Sequence, residues 1–350
     1  MGERPLHLSV LDQSPIAQSG TAVSAVRETI ELARLADQLG YRRFWVAEHH
    51  ASETFAGAAP EVLIAAIAMA TARIRVGSGG VLLPHYSPYK VAETFGVIAA
   101  IAPGRIDLGI GRASGCDPIA TQALRRHRHI ASVSSDFPGQ LAELIAYHRP
   151  EDDAAGGTAL SRLRATLPHG GSPADILLLG SSPESARLAA RLGLPYVIAD
   201  FINPQASGLA DLYRANFQPS RTLGTPKVIV ATAAICAEDH DRASDLRYPF
   251  IMVMALMFEG HIIPVPSVAD AKRWASANPD MAQPIMHVTW GTPDAVATGL
   301  RRIADRYGSD EIMICNIVPE FDARLDSYRL IAAALKPEER RSLTEEGAVA

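Results

Sequence analysis

Short apolar runs alternate with longer segments of helical periodicity along most of the chain. Eight runs predict β-strands because they are short, nearly continuous in apolar residues and bounded by turn residues. Their ranges are 6–12, 42–48, 74–83, 105–112, 174–180, 195–201, 226–236 and 311–318. Segments with apolar residues three and four positions apart predict helices at 21–40, 60–72, 87–103, 136–148, 182–193, 206–217, 292–308 and 321–335.

This alternation of strands and helices predicts the fold class. Strands that are apolar throughout are buried on both faces, as in a parallel sheet whose crossovers are helices. Eight such units predict an α/β fold, a (β/α)8 or TIM barrel, with residues 1–350 forming a single domain. The alternative, an open doubly wound sheet, commonly has GxGxxG after its first strand, whereas Gln13-Ser14-Pro15 stands at that junction here.

One segment, 259–290, interrupts the alternation after the seventh strand. It contains several prolines and two of the three tryptophans, Trp274 and Trp290. In a barrel, a segment that follows a strand lies at the C-terminal face, where active-site loops are found. We therefore expect an insertion that acts as an active-site lid. A second irregular segment, at 148–173, is charged and rich in glycine, which indicates a surface excursion.

Composition restricts the classes of partner and the cellular compartment that the sequence predicts. The net charge is −5 and the basic run RRHRH at 125–129 is short, so we expect a solvated helix end there and no nucleic-acid partner. Three cysteines without CxxC spacing favour a reducing compartment and disfavour a zinc or iron–sulfur site. The chain has no signal-like N-terminal segment, and no apolar stretch reaches about 18 residues without charge. These features predict a cytoplasmic protein with no membrane contact.

The second predicted strand ends in FWVAEHH, which places Glu48, His49 and His50 where the strand meets its loop. Neighbouring side chains of a strand point to opposite sides, so only one of the two histidines should face the site. A buried structural imidazole and a metal ligand are the alternatives. No third ligand stands at a suitable spacing, which disfavours a metal. An acid or base poised near neutral pH is the preferred functional interpretation.

Two other strand ends carry glycine and serine. The GSGG stretch at 77–80 indicates either a turn or close approach of backbone, or a flat ligand packed against bare backbone. The GSSPES stretch at 180–185 begins a predicted helix, where amides and hydroxyls bind phosphate, and Arg112 on the neighbouring strand would add a charged partner. Taken alone, these residues are better explained by Ser182 as a helix N-cap and Arg112 in a surface ion pair.

Taken together, the motifs resemble those of the bacterial luciferase-like flavin-dependent monooxygenases. The resemblance covers 6–115 and 176–220 strongly and extends more weakly to 335. As a set, the motifs are specific, although each alone is weak. They are LSVLDQSP (8–15), RFWVAEHH (43–50), IRVGSGGVLLPHYSPYKVAETF (74–95), PGRIDLGIGRASG (103–115) and LLGSSPESARLAARLGLP (178–195).

The resemblance implies a (β/α)8 barrel that works as a two-component monooxygenase. Reduced FMN would come from a separate NAD(P)H-dependent flavin reductase, and O2 would oxygenate a small organic substrate through a flavin hydroperoxide. A homodimer is expected. Two alternatives remain open: a deazaflavin-dependent oxidoreductase that transfers hydride, and a non-catalytic flavin-binding accessory protein.

Residue roles follow from the same resemblance. His49 matches a catalytic histidine beside the flavin, with Glu48 and His50 bracing it. The remaining matches concern the cofactor: a non-proline cis peptide under the isoalloxazine at Gly79 and Gly80, and a phosphate site formed by Arg112, Ser181, Ser182 and Ser185.

Two positions depart from the family pattern. Asp200-Phe201 follows the sixth strand, where His-Phe is common, which puts a side chain at the pocket rim in doubt. Glu184 adds a negative charge in the phosphate turn, where an aromatic residue is common. This carboxylate should either point outward or weaken phosphate binding.

Overall fold

The computed structural model describes residues 5–112, 118–124, 136–148, 172–203, 205–283 and 287–335. The basic run at 125–129 and most of the excursion predicted at 148–173 lie outside these ranges. Within them, no helix is long and apolar enough to cross a bilayer.

Ten strands form one sheet in the described part of the chain. They are β1 (His7–Asp12), β2 (Arg43–Val46), β3 (Arg75–Ser78), β4 (Val81–Leu82), β5 (Ile106–Gly111), β6 (Asp175–Leu179), β7 (Tyr196–Ala199), β8 (Val228–Cys236), β9 (Val288–Gly291) and β10 (Glu311–Cys315).

The α-helices of the described residues follow the strands. They are α1 (Ala22–Leu39), α2 (Pro60–Ala70), α3 (Pro88–Ile101), α4 (Pro118–Leu124), α5 (Phe137–His148), α6 (Pro183–Arg191), α7 (Ser207–Asn216), α8 (His240–Leu246), α9 (Tyr248–Phe258), α10 (Val268–Ala277), α11 (Pro293–Tyr307) and α12 (Phe321–Leu335).

The sheet closes into the predicted eight-stranded parallel barrel. Its strands follow the order β1, β2, β3, β5, β6, β7, β8 and β10, and β10 pairs with both β8 and β1. All of these pairings are parallel. The predicted α/β fold, a (β/α)8 barrel, is therefore confirmed.

The strand predicted at 74–83 is interrupted in the structure. β3 pairs with the start of β5, and β4 pairs with its end, so both belong to one strand position in the barrel. The Gly79–Gly80 peptide bond between them is cis. The Ser78 hydroxyl donates to the carbonyl of Gly109 across the gap, at 2.9 Å.

The region after β8 contains more regular structure than the sequence predicts. α8, α9, α10 and β9 all lie between β8 and α11. β9 pairs with the C-terminal half of β8, so the sheet extends beyond the barrel at this point. Trp290 therefore lies in a strand, with the guanidinium of Arg247 4.5 Å from its ring centroid. Of these elements, α9 was missed because it is apolar on nearly every side and shows little helical periodicity.

Side chains that point into the barrel form an apolar middle layer. Leu11, Trp45, Leu177, Ile229 and Met313 belong to it and are all buried. The indole of Trp45 spans the space beside β3. A Cβ at Gly77 would lie 2.8 Å from the indole nitrogen and 2.6 Å from the Asp107 Cβ, so this inward position requires glycine.

A layer of charged side chains closes the N-terminal end of the barrel. Arg43 lies at its centre, with Nη1 2.6 Å from Asp107 and Nε 2.7 Å from Glu311. Arg75 binds Asp107 at 2.6 Å, and Lys227 lies 3.3 Å from Glu311. Burial favours protonation of Glu311, but the charges of Arg43 and Lys227 outweigh it and hold its pKa below the ordinary value. These groups neutralise one another inside the barrel.

Candidate active site

Glu48 is the centre of a hydrogen-bond group at the C-terminal end of the barrel. The Tyr86 hydroxyl donates to Glu48 Oε1 at 2.7 Å, and His50 Nε2 lies 2.7 Å from the same oxygen. The backbone N–H of Leu82 donates to Oε2 at 3.1 Å. Glu48 therefore ties the end of β2 to β4 and to the turn that follows it. Its hydrogen bonds go to this turn and to His50, away from the ring of His49.

His49 lies on the other side of the same strand end, as alternation along a strand requires. Its Nε2 is 2.6 Å from Oε1 of Gln13, and its ring packs against Phe55 with centroids 4.7 Å apart. Its backbone N–H donates to the carbonyl of Gly57. Burial, together with the neighbouring His50, lowers the pKa of His49 to about 4. The imidazole is therefore neutral at pH 7.

Two loops are joined beside His49. The backbone N–H of Ile16 donates to the carbonyl of Thr54 at 2.8 Å, and the N–H of Ala56 donates to that of Ser14 at 2.9 Å. These bonds form an antiparallel bridge between the loop after β1 and the loop after β2. The bridge fixes the backbone around Gln13, the residue that binds the imidazole.

Gly79 and Gly80 lie where the resemblance places them, at a strand end on the same side of the barrel. A Cβ at Gly79 would be 2.4 Å from Leu11 and 3.3 Å from Trp45. A Cβ at Gly80 would be 2.8 Å from the carbonyl oxygen of Gly109. Packing within the protein already requires both glycines, which is the close-approach interpretation of the GSGG stretch. Their lack of side chains alone gives no separate support for a ligand.

The start of α6 is capped by serines. Ser182 is the N-cap, its hydroxyl accepting from the Ser185 amide at 3.3 Å, while the Ser185 hydroxyl accepts from the Ser182 amide at 3.2 Å. Ser185 is buried and its hydroxyl also lies 3.0 Å from that of Tyr196. Ser181 is exposed. Of the three serines predicted to bind phosphate, Ser181 and Ser182 are accessible, whereas Ser185 serves the cap.

Arg112 follows β5, next to the strand that leads into α6. β5 and β6 pair in register, with Ile110 opposite Leu178. Two residues further along, the same register brings Arg112 beside Gly180, at the start of the serine turn. The side chain of Arg112 is exposed. The sequence-predicted partners of the phosphate site are therefore adjacent at the C-terminal end of the barrel.

The pKa of Glu184 depends on the charges and hydrogen-bond donors at this turn. Its carboxylate accepts hydrogen bonds from its own backbone amide and from the Ser182 hydroxyl, and the charge of Arg112 acts on it as well. Together these interactions lower the pKa of Glu184 below its ordinary value. The start of α6 and Arg112 therefore favour a negative charge at this turn, which a phosphate site also requires. The carboxylate of Glu184 interacts with the same Ser182 hydroxyl and Arg112 charge that the predicted phosphate site includes.

Asp200 is fully buried and contacts α11 instead of the pocket rim. Its carboxylate binds Arg306 and accepts from Tyr307 at 2.9 Å and from the Thr232 hydroxyl at 3.2 Å, with His287 Nδ1 3.6 Å away. Burial favours the protonated form, but hydrogen bonds from His287 and Tyr307 and the charge of Arg306 hold the pKa of Asp200 below its usual range. This departure from the family pattern has a structural role.

An apolar cluster lies next to His49 at the same end of the barrel. Phe55, which packs on the imidazole, belongs to it together with buried residues of β8, α9 and β10. None of its members is charged. Those that remain partly accessible are Phe201, Met254, Met257 and Val288.

Two residues of this site were missed by the sequence analysis. Gln13 stands directly after β1, and the rule that strand ends face the active site would have selected it together with His49. Tyr86 follows a short 3₁₀ turn, and no local pattern connects it with Glu48. Among the described residues, no three His, Cys, Asp or Glu side chains come together as a metal ion would require.

The α/β barrel places His49, Arg112 and the start of α6 at its C-terminal face, the end at which barrel enzymes have their active sites. Residues 6–310 match the family of luciferase-like monooxygenases. The chain therefore belongs to this family.

Individual relatives agree with this assignment. The chain is 35% identical over 334 residues to the N-acetyl-S-alkylcysteine monooxygenase of Bacillus subtilis, covering 94% of this chain and 98% of that protein. It is 35% identical to a luciferase-like monooxygenase of Escherichia coli K12, with 94% and 97% covered. The crystal structure of apo-MsnO8 superimposes with a TM-score of 0.84 at 38% identity, covering 95% and 98%.

Proposed function

We propose that the protein is the oxygenating component of a two-component FMN-dependent monooxygenase. It would receive reduced FMN from a separate NAD(P)H-dependent flavin reductase and use O2 to oxygenate a small organic substrate. The observation that carries the proposal is the anion-stabilising start of α6, which faces Arg112 on the same barrel end as His49. Flavin mononucleotide carries a phosphate, which the start of α6 and Arg112 would bind, and a ring system, which would lie at the end of the barrel that carries His49.

The chain's own residues would hold the cofactor at its phosphate. Arg112, the hydroxyls of Ser181 and Ser182 and the amides of α6 would bind the phosphate oxygens. Reduced FMN, when bound, supplies the electrons with which O2 is activated. His49, neutral at pH 7 because burial lowers its pKa, would accept a proton or a hydrogen bond at that end of the barrel.

The apolar cluster supports a substrate whose reacting group is uncharged and apolar. Phe201, Met254 and Met257 are partly accessible, carry no charge and pack against the cluster that contains Phe55, the residue on which the His49 ring packs. A substrate that contacts them would be desolvated at an apolar surface. We therefore assign the reacting part of the substrate to an uncharged, apolar group. A thioether, as the name of the Bacillus subtilis relative suggests for that enzyme, satisfies this requirement.

Anaerobic titration with reduced FMN and with a reduced deazaflavin tests the cofactor. We expect reduced FMN to bind and the deazaflavin to bind weakly or not at all. On admission of air, the bound FMN should be oxidised at a rate different from that of free FMN. Binding of the deazaflavin alone would instead identify a hydride-transfer enzyme. Binding of FMN with no change in its reaction with O2 would identify a flavin-binding accessory protein.

The predicted homodimer is assigned to the outer face of α2 and α3. Four apolar side chains on these two adjacent helices are exposed, namely Val62 (64%), Met69 (73%), Val97 (50%) and Ile101 (44%). Such a face buries itself best against its own copy, since a two-fold axis brings the same patch together. Sedimentation of Met69→Glu should give a monomer where the unaltered chain gives a dimer. A monomeric unaltered chain would contradict the assignment.

The predicted lid is proposed for residues 259–283, because β9 holds residues 288–291 in the sheet. The Thr54 hydroxyl donates to the carbonyl of Ile263 at 2.6 Å, and the N–H of Gln18 donates to that of Val265 at 2.7 Å. These contacts place the segment on the two loops beside His49. Limited proteolysis within 259–283 should be fast in the free protein and slow with reduced FMN and substrate. Equal rates would contradict a lid.

A further inference from the structure

Gln13 approaches His49 through a group that can only accept. Oε1 of the Gln13 amide is 2.6 Å from Nε2 of the imidazole. A neutral imidazole carries one N–H, and an amide oxygen has no proton to donate. With the amide in this orientation, the proton of His49 is on Nε2. Within the described ranges, Nδ1 makes no hydrogen bond, so its lone pair remains available.

The other end of the Gln13 amide contacts a buried cysteine. Nε2 of Gln13 lies 3.7 Å from Sγ of Cys315, a hydrogen-bond distance for sulfur. Burial raises the pKa of Cys315 to about 12, so the thiol is uncharged and its sulfur serves as a weak acceptor. In the structure the amide NH2 faces the sulfur, and the amide oxygen faces the histidine.

The backbone on both sides of Gln13 is anchored. Asp12 and Ser14 are both fully buried. Asp12 Oδ2 accepts from the Thr29 hydroxyl at 2.6 Å and from the Ser14 amide at 3.2 Å. Ser14 has φ +51°, a left-handed conformation that fixes the direction of the chain. The buried Gln13 side chain therefore has little freedom to rotate away from His49.

We propose that Gln13 is a positioning residue that holds His49 in its Nε2–H form and leaves Nδ1 as an acceptor for bound cofactor or substrate. This assignment rests on the proposed function only in placing a ligand at Nδ1. The hydrogen-bonding state of His49 itself is a property of the free protein. Phe55 packs on the face of the ring and Gln13 binds its edge, so both orientation and tautomer are fixed before a ligand arrives.

Nitrogen NMR of the free protein tests the proposal directly. The chain has 11 histidines, so selective ¹⁵N labelling and the spectrum of His49→Asn would assign the His49 signals. Long-range ¹H–¹⁵N correlations distinguish the two neutral tautomers. At pH 7 we expect the unaltered protein to show the Nε2–H form. The Nδ1–H form would overturn the proposal, and would mean that the Gln13 amide is turned the other way.

Two substitutions separate positioning from folding. Gln13→Leu removes the acceptor, so His49 should lose its preference and populate the Nδ1–H form. Gln13→Glu restores an acceptor and should keep the Nε2–H form, but its charge should raise the pKa of His49 by about 1–3 units. Gln18→Leu is the matched control, since exposed Gln18 stands in the same loop and accepts only a long bond from Ser267 (3.4 Å). It should leave both properties of His49 unchanged.

A change in the melting temperature of Gln13→Leu would not by itself show that Gln13 positions His49. If Gln13→Leu lowers the melting temperature but leaves the tautomer and the pKa of His49 as they were, Gln13 has a packing role only and the inference fails. If the tautomer changes as expected but reduced FMN does not bind the unaltered protein, the proposed cofactor is wrong and the positioning of His49 by Gln13 stands.

Discussion

At the N-terminal end of the barrel, Arg43 binds both Asp107 and Glu311, and all three side chains are buried. At the C-terminal end, His49 offers Nδ1 with no partner among the described residues, and Arg112 is exposed beside the start of α6. Buried charges that compensate one another are costly to separate and leave little net charge for a ligand. A polar cluster therefore indicates function where its groups are accessible and their charge or hydrogen-bonding capacity is not used within the protein.

Removing Arg43 should have the largest effect on stability. Arg43→Ala leaves the carboxylates of Asp107 and Glu311 without their central cation inside the barrel. We expect a loss of about 3–5 kcal/mol in the free energy of unfolding, measured with urea. Arg34→Ala is the control because Arg34 forms an exposed ion pair with Glu31 at 3.1 Å, which contributes about 0–1 kcal/mol. Similar losses in both variants would show that the buried ion pairs contribute no more to the free energy of unfolding than an exposed pair does.

The contributions of the two barrel ends to the free energy of unfolding should also change over different ranges of pH. The pKa of His49 falls from 6.5 to about 4 on folding, so between these values the unfolded chain binds a proton that the folded protein does not. Stability must therefore fall as the pH falls from 6.5 towards 4, by about 3 kcal/mol at most. The lowered pKa of Glu311 gives a term that is present above pH 4.5 and is lost only below it.

Urea unfolding at pH 7 and pH 5 separates these terms. His49→Asn should remove the part of the decrease that belongs to His49, while the term from Glu311 is still fully present at pH 5. The difference between the two proteins is the relevant quantity, since all other groups contribute equally to both. If both lose the same free energy between pH 7 and pH 5, His49 is not held neutral by the fold.

The fold could be predicted from the sequence because its evidence is local. Each barrel strand is a short apolar run, and the apolar periodicity of α1 ends at Gly40, where φ is +83°. The charged layer could not be found in this way. Arg43 and Glu311 are 268 positions apart, and their contact depends on closure of the barrel. The one available signal is that many strands start with a polar residue, as Arg75 and Asp175 do.

Part of the candidate site could be predicted because its residues also belong to local sequence patterns. His49 and the serine turn lie at strand ends, which the topology brings to one face. Gln13 stands at a strand end and within LSVLDQSP, but a neutral amide was not considered among the acids and bases sought there. Tyr86 was missed because its contact with Glu48 spans a turn. The capping role of Ser185 depends on which atoms its hydroxyl reaches, and a sequence pattern does not contain that information.

Glu184 should have the smallest effect among these changes. Its carboxylate lies where the FMN phosphate is proposed to bind, so Glu184→Gln should tighten binding of reduced FMN by about two- to fivefold. Asp294→Asn is the matched control, since exposed Asp294 also follows a proline in the first turn of its helix. Riboflavin, which lacks the phosphate, should bind Glu184→Gln and the unaltered protein equally. Weaker FMN binding by Glu184→Gln would mean that the carboxylate assists the cofactor.

The central claim is that the C-terminal end binds the flavin phosphate while the N-terminal end only maintains the barrel. Anaerobic titration of reduced FMN into Arg112→Ala and Arg75→Ala compares one arginine from each end. Arg112→Ala should weaken binding by about 10- to 100-fold, the loss of one charge-assisted contact of roughly 1.5–3 kcal/mol. Arg75→Ala should lower the free energy of unfolding and leave the affinity unchanged. Unchanged affinity in Arg112→Ala, or an equal loss in both variants, would contradict the account.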